Sequence, residues 1–202
     1  MCSSDLEPAL LSCPSLTRKF LTCGLTLAAV TLALAGCDRQ SGQNAQPAAS
    51  GGATEPAPTI DRSHKGSQLP NLTFHDAAGK DIHTATLIGK PLVINLWATW
   101  CAPCVAELPT LDTLAAKGDV RVLTVSQDTR GPEKIAAFLT AKGLSHLEAW
   151  LDPDGTAATQ YQVTTLPASI YYDAQGHEVW RMTGGNDWTG PKAATLLAEA
   201  KP

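Results

Sequence analysis

The sequence predicts an α/β sandwich over residues 69–202, in which helices cover a mixed β-sheet. Short apolar runs typical of strands alternate with helical patterns between residues 91 and 161. A strand–turn–strand pattern follows at residues 168–182, and a last helical pattern lies at residues 191–200. The chain has 202 residues, of which 44% are hydrophobic, and this suits one domain with appendages.

The domain opens with two predicted strands around a turn. Residues 69–74 have strand character, residues 76–81 carry a turn signal, and residues 82–84 return as a second strand. Residues 91–96 form a short apolar run bounded by Gly89, which predicts a buried central strand.

The later elements follow from spacing and from helix-terminating residues. Apolar residues at helical spacing predict a helix over residues 102–117, with Pro109 expected to kink it and Gly118 to cap it. The other predicted elements are a strand at 120–126, a helix from Pro132 to Gly143, a strand at 147–151, a short helix at 156–161, and strands at 168–172 and 177–182.

Two cysteines lie where the central strand gives way to this helix. Pro103 has no backbone N–H to donate, so it fits the first helical turn, and Cys101 then lies at or just before the helix start. The unpaired N–H groups and the positive end of the helix dipole favour a thiolate there, and the thiolate is the nucleophile. Cys104 is close enough to attack a mixed disulfide at Cys101. The pair, with Ala102 and Pro103 between its members, indicates dithiol–disulfide exchange.

Half of a zinc site is the alternative interpretation of the cysteine pair. Structural zinc needs four Cys or His ligands, usually as two spaced pairs. No second CxxC follows, and the five histidines are scattered along the sequence. We therefore expect no metal and no cofactor besides the redox-active disulfide.

The charge and the distribution of cysteines narrow the class of protein. A formal net charge of −4 does not indicate nucleic-acid binding, which would call for a basic face. Cys2, Cys13, Cys23 and Cys37 all precede the predicted domain, which holds only the redox pair. The domain is therefore expected to lack structural disulfides.

A leader and a targeting segment are predicted over residues 1–37. Two basic residues at positions 18 and 19 precede an apolar run of about sixteen residues, which is short for a membrane span of roughly 20. Leu-Ala-Gly-Cys at residues 34–37 resembles the bacterial lipobox, in which the cysteine, here Cys37, is lipidated. An uncleaved signal anchor with an incidental cysteine is the alternative. Either interpretation puts the domain outside the cytoplasm, and Asp38 favours retention at the inner membrane.

A tether is predicted over residues 38–68. The segment is rich in Ala, Gly, Pro, Ser and Gln, with Ile60 as its one large apolar residue. Such a segment buries too little surface to fold, and it would span about 30 Å as a flexible chain.

The run from Asn95 to Cys104, Asn-Leu-Trp-Ala-Thr-Trp-Cys-Ala-Pro-Cys, resembles the active-site signature of the thioredoxin fold, as do Glu107 and Pro109 after it. The nearest match is the TlpA/ResA-like branch of membrane-tethered, extracytoplasmic thiol–disulfide oxidoreductases, over residues 66–202. The resemblance implies a thioredoxin fold with an added N-terminal β-hairpin and an insertion, within residues 129–161, before a cis-proline loop.

The resemblance also assigns residues that bind the substrate. Leu166 and Pro167 match the cis-proline loop, where Leu166 would present its backbone to an extended substrate peptide. An ordinary proline at a strand start is the alternative. Trp97 and Trp100 are expected to flank the site and to form an apolar docking surface.

A proton acceptor for Cys104 is expected at Glu107. Thioredoxins carry a buried aspartate on the central strand, and this chain has Asn95 at that position. Glu107 lies three residues after Cys104 on the same predicted helix face, so its carboxylate can take over that role. A solvent-exposed glutamate is the alternative.

The expected function is reduction of protein disulfides, with cytochrome c maturation or copper-site cysteines as the substrates that the resemblance suggests. The residues between the cysteines include no histidine, whose charge would stabilise the thiolate and make the disulfide more oxidising. A DsbD- or CcdA-type membrane protein would supply the electrons. A periplasmic thiol oxidase or disulfide isomerase, a copper-binding chaperone and a non-catalytic binding module are the alternatives.

Overall fold

The structure is a computed structural model that describes residues 57–129 and 131–200. Its strands are β1 (Thr59–Asp61), β2 (Thr73–His75), β3 (Asp81–His83), β4 (Leu92–Trp97), β5 (Arg121–Ser126), β6 (Trp150–Leu151), β7 (Ala168–Tyr172) and β8 (Glu178–Thr183). Its helices are α1 (Ala102–Lys117), α2 (Pro132–Ala141), α3 (Thr156–Tyr161) and α4 (Pro191–Ala198), with one 3₁₀ turn at Thr84–Leu87.

The strands form one eight-stranded mixed sheet in the order β1-β8-β7-β4-β5-β6-β2-β3. At its centre β4 pairs parallel with β5 and antiparallel with β7. The predicted hairpin β2–β3 joins the sheet edge through β6, where His75 pairs with Leu151. The α/β thioredoxin fold with an added N-terminal hairpin is thus confirmed, and α2, β6 and α3 lie within residues 129–161, the range predicted to contain an insertion.

Strand β4 is buried along its whole length, because apolar layers cover both faces of the sheet. Val93 and Trp97 face the layer that contains Cys104 and Leu108 of α1. Ile94 lies in the opposite layer, with residues from β2 and α3 among its neighbours. Burial on both faces explains why the sequence of this strand does not alternate between apolar and polar residues.

Helix α1 begins and ends where its sequence predicts. Cys101 precedes it with an extended backbone, and Pro103 lies in the first turn, where its missing N–H leaves no bond unmade. Gly118 ends the helix with a φ of 74°, a left-handed conformation that glycine adopts without a steric penalty. Pro109 lies inside α1 without ending it.

The predicted boundary between the tether and the domain is wrong. Ile60 pairs with Met182 of β8 and packs against the core, so residues 59–61 form an edge strand. The chain then follows β8, because the Gly66 N–H donates to the carbonyl of Glu178. Residues 59–68 therefore belong to the domain. Ile60, the one large apolar residue of the predicted tether, packs against the core and attaches this segment to it.

Several predictions lie outside the described residues. These are the leader and signal at residues 1–37, lipidation of Cys37, and the tether over residues 38–56. No helix within the described part of the chain is long and apolar enough to cross a membrane.

Replacing Ile60 by alanine is expected to lower the free energy of unfolding by about 1–2 kcal/mol, below the range for fully buried isoleucine because Ile60 is only half-buried. Arg62 forms a 2.6 Å ion pair with Glu199, but the arginine side chain is 45% exposed. Arg62→Ala should therefore cost less, about 0–1 kcal/mol. Urea unfolding of both variants measures the difference, and an Ile60→Ala variant as stable as the parent would contradict the assignment of β1 to the core.

Candidate active site

The two cysteines form a disulfide at the start of α1, with an S–S distance of 1.99 Å. Cys101 is the residue immediately before the helix, as predicted, and its sulfur accepts a hydrogen bond of 3.3 Å from the backbone N–H of Cys104. The sulfur of Cys101 thus lies at the positive end of the helix dipole. This environment stabilises negative charge on Cys101 whenever the disulfide is open.

The two sulfurs differ in how far a partner can reach them. Cys101 is 6% exposed and Cys104 is fully buried. Beside them, Trp100 exposes 68% of its surface, an unusual exposure for an aromatic residue of this size. A partner that docks on this tryptophan therefore meets Cys101 first.

The two tryptophans of the signature, Trp97 and Trp100, differ in their exposure to solvent. Trp100 is exposed next to the pair, as predicted, whereas Trp97 is 1% exposed and packs against Phe138 with ring centroids 5.8 Å apart. The expectation that Trp97 forms part of a docking surface is wrong. Trp97 is the last residue of β4, so the pleat of the strand turns its side chain into the core.

The predicted proline loop lies next to the active-site turn. The peptide bond between Leu166 and Pro167 is cis, as the resemblance implies. Ala168, the next residue, pairs with Leu96 of β4, which brings Pro167 level with the end of the central strand. The Pro167 carbonyl accepts a 2.9 Å hydrogen bond from the N–H of Gly184, and the side chain of Leu166 is half-buried.

Glu107 lies one helical turn beyond Cys104 and is buried, with 4% of its surface exposed. One carboxylate oxygen, Oε1, accepts a 2.7 Å hydrogen bond from Nδ2 of Asn95. The other, Oε2, accepts bonds from the Asn186 backbone N–H at 3.0 Å and from the Trp188 indole N–H at 3.2 Å. The exposed-glutamate alternative is therefore wrong, because the carboxylate is enclosed by donors.

Asn95 continues this buried network from the central strand. Its Nδ2 also donates to the hydroxyl of Ser169 at 3.0 Å, across the pairing of β4 with β7. Its carbonyl oxygen, Oδ1, is buried and has no hydrogen-bond partner within the described residues. The cysteine pair thus has a polar network beneath it that contains one unsatisfied acceptor.

Two donors to Glu107 come from a loop that sequence reasoning missed. Trp188 stacks on Trp180 with ring centroids 6.4 Å apart, and its indole N–H also bonds to the carboxylate. This loop lies between β8 and α4 and begins at Gly184. The loop is separated from Glu107 by about eighty residues, and no short-range pattern in the sequence indicates the contact.

Asp128 is a second residue that the sequence analysis did not identify. It is 1% exposed and accepts hydrogen bonds from the N–H and the hydroxyl of Thr99, at 2.7 Å and 2.8 Å. The hydroxyl of Ser126 donates to it at 2.9 Å. Because Thr99 directly precedes the exposed Trp100, Asp128 holds the turn that presents the cysteines. Its place just after the carboxyl end of a buried strand is the signal that could have found it.

No group of three or more His, Cys, Asp or Glu side chains is arranged to hold a metal ion anywhere in residues 57–129 or 131–200. The arrangement that these residues do contain is a disulfide with one slightly exposed and one fully buried sulfur, together with a buried carboxylate. Chemically, this arrangement can exchange thiols for disulfides.

The sequence matches one protein family and several thiol–disulfide oxidoreductases. The redoxin family matches residues 64–197. The chain is 30% identical to the thiol–disulfide oxidoreductase ResA of Bacillus subtilis, covering 59% of this chain and 68% of ResA. It is 31% identical to the thiol:disulfide interchange protein DsbE of Vibrio cholerae, covering 67% and 77%. It is 30% identical to DsbE of Xylella fastidiosa, of whose length the match covers 61%.

Solved structures show the same fold. A secreted Mycobacterium tuberculosis disulfide oxidoreductase homologous to E. coli DsbE superposes with a TM-score of 0.55 at 25% identity, covering 63% of this chain and 95% of that protein. The pneumococcal exposed lipoprotein thioredoxin Etrx1 gives a TM-score of 0.55 at 24% identity, covering 63% and 98%. The second likeness is evidence for the fold alone.

Replacing Asp128 by alanine is expected to lower the free energy of unfolding by about 2–4 kcal/mol, since it leaves several donors without their acceptor. Asp154→Ala is the matched control, because Asp154 is exposed and should change stability by less than about 0.5 kcal/mol. Urea denaturation measures both variants. Equal stability of the two variants would show that Asp128 does not anchor the active-site turn.

Proposed function

The chain belongs to the redoxin family and is a thiol–disulfide oxidoreductase, and we propose that it acts outside the cytoplasm as a reductant of protein disulfides. The observation that carries the proposal is the asymmetry of the cysteine pair. Cys101 is reachable at a helix N-terminus, while Cys104 is buried behind it. This asymmetry gives the two sulfurs separate roles, attack on the substrate and resolution of the intermediate.

The reaction starts from the reduced pair. The thiolate of Cys101 attacks a substrate disulfide, forms a mixed disulfide with one substrate sulfur and releases the other as a thiolate. Cys104 then loses its proton, and its sulfur attacks the sulfur of Cys101. This step releases the second substrate thiolate and forms the Cys101–Cys104 disulfide, so two electrons pass to the substrate.

Glu107 is the proposed acceptor of the Cys104 proton. The carboxylate is buried, but it also lines a cavity of about 240 Å³ that Pro103, Ala106 and Thr110 help to enclose. The cavity opens to solvent, and Thr110, Asn186 and Asp187 on its wall offer polar groups to water that can carry the proton onward. Burial beside the pair together with contact to the cavity supports a carboxylate that takes up and returns protons.

The substrate surface is proposed to include Trp100, Leu166 and Pro167. Trp100 offers an exposed apolar face, and the loop before β7 lies beside the same end of the sheet. An extended peptide along this loop would place its disulfide at Cys101. The expected partners are therefore partly unfolded proteins, whose cysteines lie on extended chain; cytochrome c precursors and copper-site cysteines are the candidates that the family resemblance suggests.

The direction of electron flow is proposed from the residues between the cysteines. Ala102 and Pro103 add no positive charge beside the sulfurs, so the reduced pair receives no charge stabilisation from them. Without that positive charge the reduced pair gives up its electrons more readily than the pair of a strong oxidant does. In an oxidising compartment it must be re-reduced, for which we propose a membrane electron donor of the DsbD or CcdA type.

Anchoring at Cys37 completes the proposal. The lipobox-like sequence at residues 34–37 supports lipidation of this cysteine and attachment on the periplasmic side of the inner membrane. The test is metabolic labelling with a radioactive fatty acid, which should mark the parent chain and leave a Cys37→Ser variant unlabelled.

Changing either cysteine of the pair is expected to stop turnover at a different step. Cys101→Ser should abolish reduction of insulin disulfides, because the accessible nucleophile is lost. Cys104→Ser should instead accumulate a mixed disulfide with the substrate, because attack proceeds and resolution does not. Turbidity of reduced insulin reports turnover, and non-reducing electrophoresis with mass spectrometry reports the trapped intermediate.

Glu107→Gln serves as the control that separates chemistry at the sulfurs from proton transfer. The first attack should continue, while the second step slows, because an amide cannot accept the proton at neutral pH. Normal turnover by the Cys101→Ser variant would overturn the proposal.

The reduction potential of the pair, measured against glutathione buffers in the full chain with its four N-terminal cysteines replaced by serine, tests the direction. We expect a value near or below about −270 mV, the potential of thioredoxin. A value near about −120 mV, the potential of DsbA, would make the protein an oxidase.

A further inference from the structure

Asn95 carries a buried polar atom that the oxidised protein leaves unsatisfied. The residue is fully buried, and its Oδ1 has no hydrogen-bond partner among the described residues. An unpaired buried acceptor costs free energy, so such groups are uncommon in folded proteins. The position of this one, beneath a redox-active pair, suggests that its partner is present in the other redox state.

The orientation of the amide follows from its neighbours. Glu107 Oε1 lies 2.7 Å from Nδ2, and a carboxylate oxygen there requires a donor. The hydroxyl of Ser169 lies 3.0 Å from the same nitrogen. The nitrogen is therefore committed to these two partners, and Oδ1 is on the opposite side of the amide.

Cys104 is the group that can supply the missing donor. Asn95 lies between Val93 and Trp97 on the face of β4 that packs against Cys104 and Leu108. Along α1, Cys104 is one turn, about 4.5 Å, from Glu107 toward the active-site end. Reduction breaks the S–S bond with two electrons, and with one proton it leaves a thiolate at Cys101 and an S–H group at Cys104, whose sulfur is fully enclosed.

We propose that Asn95 is a positioning residue whose Oδ1 accepts a hydrogen bond from the Cys104 thiol in the reduced protein. The two cysteines then differ in protonation: Cys101 faces the N–H donor of Cys104, which suits a thiolate, and Cys104 faces an acceptor, which suits a thiol. Only Cys101 is then a thiolate, and only Cys101 can make the first attack on the substrate disulfide. This inference rests on the proposed dithiol–disulfide function, in which Cys104 waits as a neutral thiol until the mixed disulfide forms.

The charged groups around Cys104 are few in the described part of the chain. Glu107 faces the same layer from α1 and is held by donors from β4 and from the loop before α4. Asp128, after β5, is directed at Thr99 and Ser126. Asn95 is neutral at every pH, so the capacity of its Oδ1 to accept a hydrogen bond does not depend on pH.

The S–H stretching band in the infrared spectrum tests the bond directly, because hydrogen bonding moves the band to lower wavenumber and intensifies it. The protein is the full chain with Cys2, Cys13, Cys23 and Cys37 replaced by serine, and with Cys101→Ser added so that Cys104 gives the only S–H band. We expect the hydrogen-bonded position. Adding Asn95→Leu, which keeps the volume but removes the acceptor, should shift the band to that of a free thiol.

Trp188→Phe is the matched control, since it removes one donor from Glu107 and leaves Oδ1 of Asn95 in place. Its S–H band should stay at the hydrogen-bonded position. In the chain that retains both redox cysteines, Asn95→Leu should also move the glutathione equilibrium toward the disulfide by about tenfold, because the oxidised form loses its unpaired acceptor.

A free-thiol band in the protein that retains Asn95 would overturn the inference, even if the leucine variant did not fold. A band that Asn95→Leu fails to shift, or that Trp188→Phe shifts equally, would also overturn it. Reduction of insulin by the chain with both redox cysteines is measured alongside. Retained reduction together with a free-thiol band refutes the role of Asn95 alone, whereas absent reduction refutes the proposed function.

Discussion

A carboxylate buried inside the fold is the constraint on which the redox site depends. Burying a charge is costly unless hydrogen-bond donors compensate it, and Glu107 receives donors from β4 and from the loop between β8 and α4. These elements, together with α1 itself, frame the cysteine pair. The hydrogen bonds that make the carboxylate tolerable in the interior are therefore the same ones that keep strand, helix and loop in a fixed arrangement beneath the disulfide.

Features that depend on neighbouring residues were predictable from the sequence. The start of α1 follows from Pro103 and its end from Gly118, because both act through the backbone of one helical turn. The thioredoxin fold and the cis peptide bond at Pro167 were predicted through a resemblance carried by a compact motif. Local composition was a poorer guide for the segment before residue 69. Its many small and polar residues predicted a tether, although residues 59–61 form a strand that pairs with β8.

Features that depend on distant residues were not predictable. The donors to Glu107 at Asn186 and Trp188 are brought to it only by the complete sheet. Trp97 is buried and Trp100 is exposed because β4 ends between them. If the strand ended a few residues earlier or later, a different tryptophan would face the core. A single sequence locates the end of a strand only to within a few residues, so it could not distinguish the two tryptophans.

The path of the chain into the domain has a consequence for how the protein meets its partners. Pro58 lies against Gly184, close enough that a side chain at that glycine would come within 3.3 Å of its Cα, and Gly184 bonds to Pro167. The chain thus enters the domain at the end that carries the sulfurs. If the chain is attached to a membrane through Cys37, as proposed, the attachment enters the domain at the same end as the sulfurs. Tethering of this kind would raise the effective concentration of the sulfur-bearing end near the bilayer surface, where a membrane-embedded electron donor would meet it.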